Sequence, residues 1–102
     1  MQIYFDNTEL EKIYEAKASR KYRLDNAIIK KYVRAVEALV AADTIRDIWN
    51  YPAFNFEKLQ GADNRFSMRL NIKYRLEIRI EFYDEARLNG DVFIEEVSNH
   101  YD

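Results

Sequence analysis

The sequence predicts an α+β domain in which an N-terminal short strand and a helical hairpin pack on an antiparallel sheet of three to four strands, all within residues 1–102. Two observations carry this reading. From Phe66 to Phe82 every even-numbered residue is apolar (Phe66, Met68, Leu70, Ile72, Tyr74, Leu76, Ile78, Ile80, Phe82), while the odd positions between them are polar or charged. Upstream, residues 28–40 carry Ile28, Ile29, Tyr32, Val33, Val36, Leu39 and Val40 at three-and-four spacing. Period two is a strand with one apolar face, and period 3.6 is a helix with one apolar stripe.

The elements follow in order. Gln2-Ile3-Tyr4-Phe5 is β-prone and reads as an edge strand. Thr8, with Glu11 three residues on, forms a capping box that opens a helix with Leu10, Ile13 and Tyr14 on one side. Basic, polar Lys17–Arg23 is the inter-helix loop. Asp25 caps a second helix running to about Ala42, whose wet face holds Lys30, Lys31 and Arg34. Thr44–Leu59 is aromatic but not periodic, a loop with one helical turn pinned to the core by Trp49, Phe54 and Phe56. Gly61-Ala62-Asp63-Asn64 is turn chemistry. The alternating run that follows would span about 55 Å as one strand, about twice the width of such a domain, so it must fold back. A break at Asn71-Ile72-Lys73 pairs Leu70 with Tyr74 and keeps the apolar phase, whereas a two-residue loop would flip it. Asp84–Asp91 is a charged loop ending in the turn dipeptide Asn89-Gly90, and Val92–Val97 is the last strand.

Composition narrows the function classes. With 48% hydrophobic residues, two Gly and one Pro in 102 residues, the chain is an ordinary globular domain. No apolar run approaches the ~20 residues of a membrane helix, so no membrane association is expected. No Cys is present, which removes thiolate chemistry and suits a reducing cytoplasm. A single His, with no HxH or HExxH spacing, argues against a dedicated transition-metal site, and no cofactor is expected. Net charge −2 is unlike a general nucleic-acid binder, so any such role rests on a local patch or a partner. That patch belongs on the polar face of the hairpin, which carries Arg69, Arg75 and Arg79.

The block Phe56-Glu57-Lys58-Leu59-Gln60-Gly61, then Phe66-Ser67-Met68-Arg69-Leu70-Asn71, then Lys73-Tyr74-Arg75-Leu76, with His100 near the end, resembles a known pattern. It is similar to the HigB-type killer protein toxins of the RelE/ParE superfamily. These carry a leucine–glycine turn, a serine–basic–asparagine strand, an aromatic-Arg strand start and a C-terminal His. The resemblance runs essentially end to end. Two positions depart from it: Glu57 stands where members often have His, and Ser98-Asn99-His100 replaces Asp-Tyr-His, with Tyr101 displaced beyond. The resemblance implies a toxin of a type II toxin–antitoxin system that cuts translated mRNA in the ribosomal A site. It also implies a helix-turn-helix, HigA-like antitoxin, with operator DNA reached only through that antitoxin.

Metal-free RNA cleavage needs a base for the 2′-hydroxyl, a cation for the phosphorane charge and an acid for the 5′-oxygen. Arg75 suits the cation, since a guanidinium matches a phosphate bidentately; its plain alternative is an ion pair across the hairpin. His100, with an ordinary pKa near neutrality, suits proton transfer, although a lone His near a chain end is more often solvated. Glu57 is the remaining candidate base, against a reading as surface glutamate. Arg69, Lys73 and Arg79 are candidate phosphate ligands or solubilising charges, and Tyr101 a candidate base-stacking ring. Lys30, Lys31 and Arg34 face ribosomal RNA in one reading and water in the other. A competing function is a non-catalytic binder on this fold, either a gyrase inhibitor or a degenerate toxin acting as co-repressor. A third is an interaction module with no toxin role.

Overall fold

The computed structural model describes residues 1–17 and 24–99. The inter-helix loop beyond Lys17, together with His100 and Tyr101, lies outside the described residues. The chain runs β1 (Gln2–Phe5), α1 (Thr8–Ala16), α2 (Asn26–Ala41), α3 (Ile45–Trp49), a 3₁₀ turn (Pro52–Phe54), β2 (Glu57–Lys58), β3 (Arg65–Arg69), β4 (Tyr74–Phe82) and β5 (Gly90–Asn99). The strands form one sheet in the order β1-β5-β4-β3-β2, antiparallel except for β1, which runs parallel to β5. The sheet is thus five-stranded and mixed. A four-residue strand carries no mark of pairing direction, and the two residues of β2 are too few to show a period.

The β3–β4 hairpin has the three-residue connection its pattern demands. Arg69 pairs with Arg75, Leu70 N–H donates to Tyr74 C=O at 2.9 Å, and the Asn71 side chain accepts from the N–H groups of Lys73 and Tyr74. Phe66, Met68, Leu70, Leu76, Ile78 and Ile80 are all buried, with Tyr74 packed against the same core. Each buried aliphatic side chain contributes roughly 1.5–3 kcal/mol. Ile72, at the loop tip, is 86% exposed.

On the helical side, Ile28, Ile29, Tyr32, Val33, Val36 and Leu39 of α2 are buried, whereas Val40 is half exposed at the stripe's edge. Asp25 caps α2 by accepting from Ile28 N–H at 2.9 Å. The α1 cap is Asn7, one residue before the expected Thr8. The β1–β5 pairing continues to Asp6, whose N–H reaches Ile94 C=O, so the chain turns at Asn7. There the Asn7 side chain accepts from Leu10 N–H at 3.1 Å and donates to Glu95 C=O at 3.3 Å. Asn7→Ala is therefore expected to lower stability by about 1 kcal/mol, a fall of roughly 4–8 °C in Tm, with Thr8→Ala costing less. Thermal denaturation followed by circular dichroism checks the order; a larger loss at Thr8 would restore Thr8 as the cap.

Two other expectations shift. Phe56 is buried and Phe54 partly so, but Trp49 is half exposed, its ring edge-on to Phe56 at 4.7 Å. Asn89-Gly90 is not the turn: β5 begins at Gly90, which pairs with Phe82, and the reversal lies at Asp84–Arg87. Gly90 is needed for close approach, because a Cβ there would sit 2.3 Å from the Glu81 carbonyl oxygen.

Candidate functional site

The helices cover one face of the sheet; the other face presents the odd-numbered residues of β3 and β4. Register arranges its side chains in rungs that cross the strands. Nearest the hairpin loop the rung reads Arg69–Arg75–Ser98. The next reads Glu57–Ser67–Glu77–Glu96, and the third Arg65–Arg79–Phe93–Tyr4. The fourth carries Glu81, Asp91 and Gln2. Between Glu77 and Ile78 the β4–β5 register slips by one residue, leaving Glu95 as the extra residue of a bulge. Such a bulge re-aims a side chain, and here the Glu95 carboxylate reaches the arginines of the third rung.

Charge compensation differs sharply between the two basic rungs. Arg65 bonds Glu95 at 2.8 Å and Glu77 at 2.9 Å, and Glu77 is 8% exposed. Arg79 meets Asp6 at 3.0 Å, Glu95 at 3.5 Å and Glu81, and lies over the Phe93 ring. The hydrogen bond to Glu95 holds the Arg65 guanidinium above its ordinary pKa, and the bond to Asp6 does the same for Arg79. Both arginines are saturated by carboxylates on either side. The Arg69–Arg75 rung lies at the sheet's end with an acidic rung on one side only. Arg75 bonds Glu57 at 3.1 Å, and Glu57 also accepts from Asn55 at 2.9 Å. Exposed Arg69 has no ion pair among the described residues. Two like charges directly opposite destabilise a strand pair by a few tenths to about 1 kcal/mol, so this rung attracts an anion.

Two serines share this end of the face. The hydroxyls of Ser67 and Ser98 are buried and find no hydrogen-bond partner among the described residues. An unpartnered buried hydroxyl costs about 1–3 kcal/mol. Ser98 lies on the same rung as the two arginines, and Ser67 one rung behind. In the sequence Ser67 appears only within the serine–basic–asparagine strand and Ser98 only in the altered terminal triplet; that Ser98 shares the Arg75 rung depends on the bulged β4–β5 register, which no local pattern encodes.

Of the residues singled out from sequence, Glu57, Arg69 and Arg75 come together at one end of the sheet. Lys73 is exposed in the adjoining loop, and Arg79 sits two rungs away inside its carboxylate cluster. His100 and Tyr101 follow the last described residue of β5, the strand that supplies Ser98. Among the described residues no group of three or more His, Asp or Glu is placed to hold a metal ion, and no helix is long and apolar enough to cross a membrane.

Residues 3–94 match the family model described as the RelE-like toxin of the type II toxin–antitoxin system HigB. Glu57, Arg69 and Arg75 lie within that match; Ser98, His100 and Tyr101 lie beyond it. No curated protein gives a significant sequence match. Among solved structures the chain is similar to a YoeB/ParE toxin from Agrobacterium tumefaciens, at 17% identity and a TM-score of 0.55. That similarity covers 99% of this chain and 100% of the other, and at this identity it establishes the fold. With nine-tenths of its length in the family match, and with the matching fold, the chain belongs to the HigB-like family of RelE-like type II toxins.

Proposed function

We propose that the protein is a ribosome-dependent endoribonuclease that cuts translated mRNA in the A site by metal-free acid/base catalysis. The observation that supports this best is the under-compensated Arg69–Arg75 rung beside Glu57. In the reaction the 2′-oxygen attacks phosphorus and loses its proton to a base, and the bond to the 5′-oxygen breaks as that oxygen gains a proton. Arg75 takes the charge of the phosphorane. The Glu57–Arg75 pair is half exposed on the glutamate side, and such pairs contribute about 0.2–1 kcal/mol, so a phosphate displaces Glu57 at small cost. The freed carboxylate then stands beside the reacting group. His100 serves proton transfer, with Glu57 as the second candidate. Arg69 and Lys73 hold phosphates and Tyr101 stacks on a base. Arg79 contributes to RNA binding only by exchanging one of its carboxylates.

As a type II toxin it has an antitoxin partner, which we propose to be a helix-turn-helix, HigA-like protein acting in the cytoplasm and carrying the pair to operator DNA. The second reading, a gyrase inhibitor or degenerate toxin acting as co-repressor, is favoured by the Glu57–Arg75 contact itself, since it occupies the cation that catalysis needs. Controlled expression in a susceptible bacterium, followed by primer extension on cellular mRNA, separates the two. Nuclease action gives growth arrest with breaks confined to translated messages. Arrest with intact messages supports the gyrase reading, and abundant expression without arrest the co-repressor. Glu57→Ala is expected to retain more cleavage than His100→Ala, because the Glu57 carboxylate is already held by Arg75 and Asn55.

A further inference from the structure

Beyond the open end of the arginine rung the surface continues into a 400 Å³ cleft between α2, the 3₁₀ turn and the β3–β4 loop. Arg69 belongs to both the rung and the cleft wall. Lys31 and Arg34, one turn apart on α2, line its other side, and both are exposed with no ion pair among the described residues. Tyr51 is 54% exposed within it, its ring braced on Phe54 at 5.3 Å, and Ile72 stands at the rim. Three uncompensated cations therefore track away from the rung past an accessible aromatic ring. A larger cavity, 670 Å³ beside β1, has no charged side chain in its lining and does not reach the arginines.

We infer that this cleft is a binding subsite for single-stranded RNA, holding the nucleotides next to the phosphate on the Arg69–Arg75 rung, with Lys31 and Arg34 on the backbone and Tyr51 under a base. The placement beside a scissile phosphate rests on the nuclease reading. Single strands are bound by positively charged grooves with aromatic platforms, on which any base stacks. RNA fits better than an acidic peptide because the cations flank an accessible ring, Tyr51, on which a base stacks, and run through Arg69 to the anion-attracting rung. The sequence separated these residues: Lys31 and Arg34 lie on a helix face read against ribosomal RNA or against water, and Tyr51 reads as part of a loop.

The test uses a fluorescein-labelled 2′-O-methyl RNA octamer, which has no free 2′-hydroxyl and so cannot be cleaved, titrated into the full-length chain at several salt concentrations. Tyr51→Ala is expected to weaken binding about five- to a hundredfold, with Tyr51→Phe close to wild type. Lys31→Glu and Arg34→Glu each reduce the slope of log affinity against log salt by at least about 0.7. Lys12→Glu, the same charge change on α1, leaves slope and affinity within about twofold of wild type. Wild-type binding in the three cleft variants, an equal loss in Lys12→Glu, or no saturable binding by wild type overturns the inference. So does retained octamer binding in cleft variants that lose the neighbouring antitoxin, which would make the cleft a protein-docking surface. Cleft-independent binding in an active nuclease defeats this inference alone; cleft-dependent binding without cleavage defeats the nuclease reading alone.

Discussion

Arg75→Ala is expected to lower mRNA cleavage on ribosomes by on the order of a hundredfold or more and to abolish growth arrest, while leaving the fold intact. One lost transition-state contact costs roughly 3 kcal/mol when the group meets charge that develops only as the bond breaks. The pair with Glu57 contributes little to stability at this exposure, so deletion of Arg75 removes chemistry far more than packing. Deletion also relieves the like-charge contact with Arg69 across the β3–β4 rung, which offsets part of the small structural loss. Arg75→Lys keeps the charge but not the planar fork, and is expected to fall between wild type and Ala. His100→Ala should cost on the order of a hundredfold and flatten the pH profile near neutrality, where only an imidazole changes protonation readily. The measurements are primer extension on ribosome-bound message and growth after induction, with antitoxin binding as the folding control. Full toxicity in both alanine variants would remove the catalytic assignment and favour the non-catalytic binder.

The sequence is legible here wherever one face is buried against one that is not. The unbroken even-position phase from Phe66 to Phe82 forced a three-residue break and placed Arg69 opposite Arg75, because a slip of one residue would have turned Leu76, Ile78 and Ile80 into water. The helix stripe failed only at Val40, which is half exposed and lines the cavity beside β1. Short elements were harder. Asn7 rather than Thr8 caps α1 because its side chain also reaches Glu95 on a strand almost ninety residues away, a contact no local motif encodes. The bulge at Glu95 is equally silent, yet it saturates Arg65 and Arg79 and so leaves Arg69 and Arg75 as the less compensated pair of cations. Residue types and phase placed Arg69, Arg75 and Arg79 on one polar face, while charge compensation, which separates the four arginines of that face, required register.

The second large effect lies in the core where α2 meets α1. Tyr32 is the bulkiest of the fully buried side chains, and its hydroxyl donates to the Leu10 carbonyl at 2.7 Å, joining α2 to α1. Tyr32→Ala leaves an aromatic-sized void, and such truncations cost about 3–5 kcal/mol. For a domain near 100 residues this is a fall in Tm on the order of 12–40 °C, a large share of the 5–15 kcal/mol typical of total stability. Tyr32→Phe removes only the hydroxyl. Leu10 C=O also belongs to the i→i+4 ladder of α1, so it is not orphaned, and the expected cost is about 1 kcal/mol. The two variants separate packing from hydrogen bonding at one position: similar losses would place the energy in the bond, a several-fold difference in the ring. Lys31 precedes Tyr32 on α2 and Arg34 follows two residues later. A loosened helix therefore displaces both cations from the cleft even in molecules that remain folded. Tyr32→Phe should accordingly keep RNA affinity near wild type. Tyr32→Ala, measured below its lowered Tm, should lose both affinity and the steepness of its salt dependence.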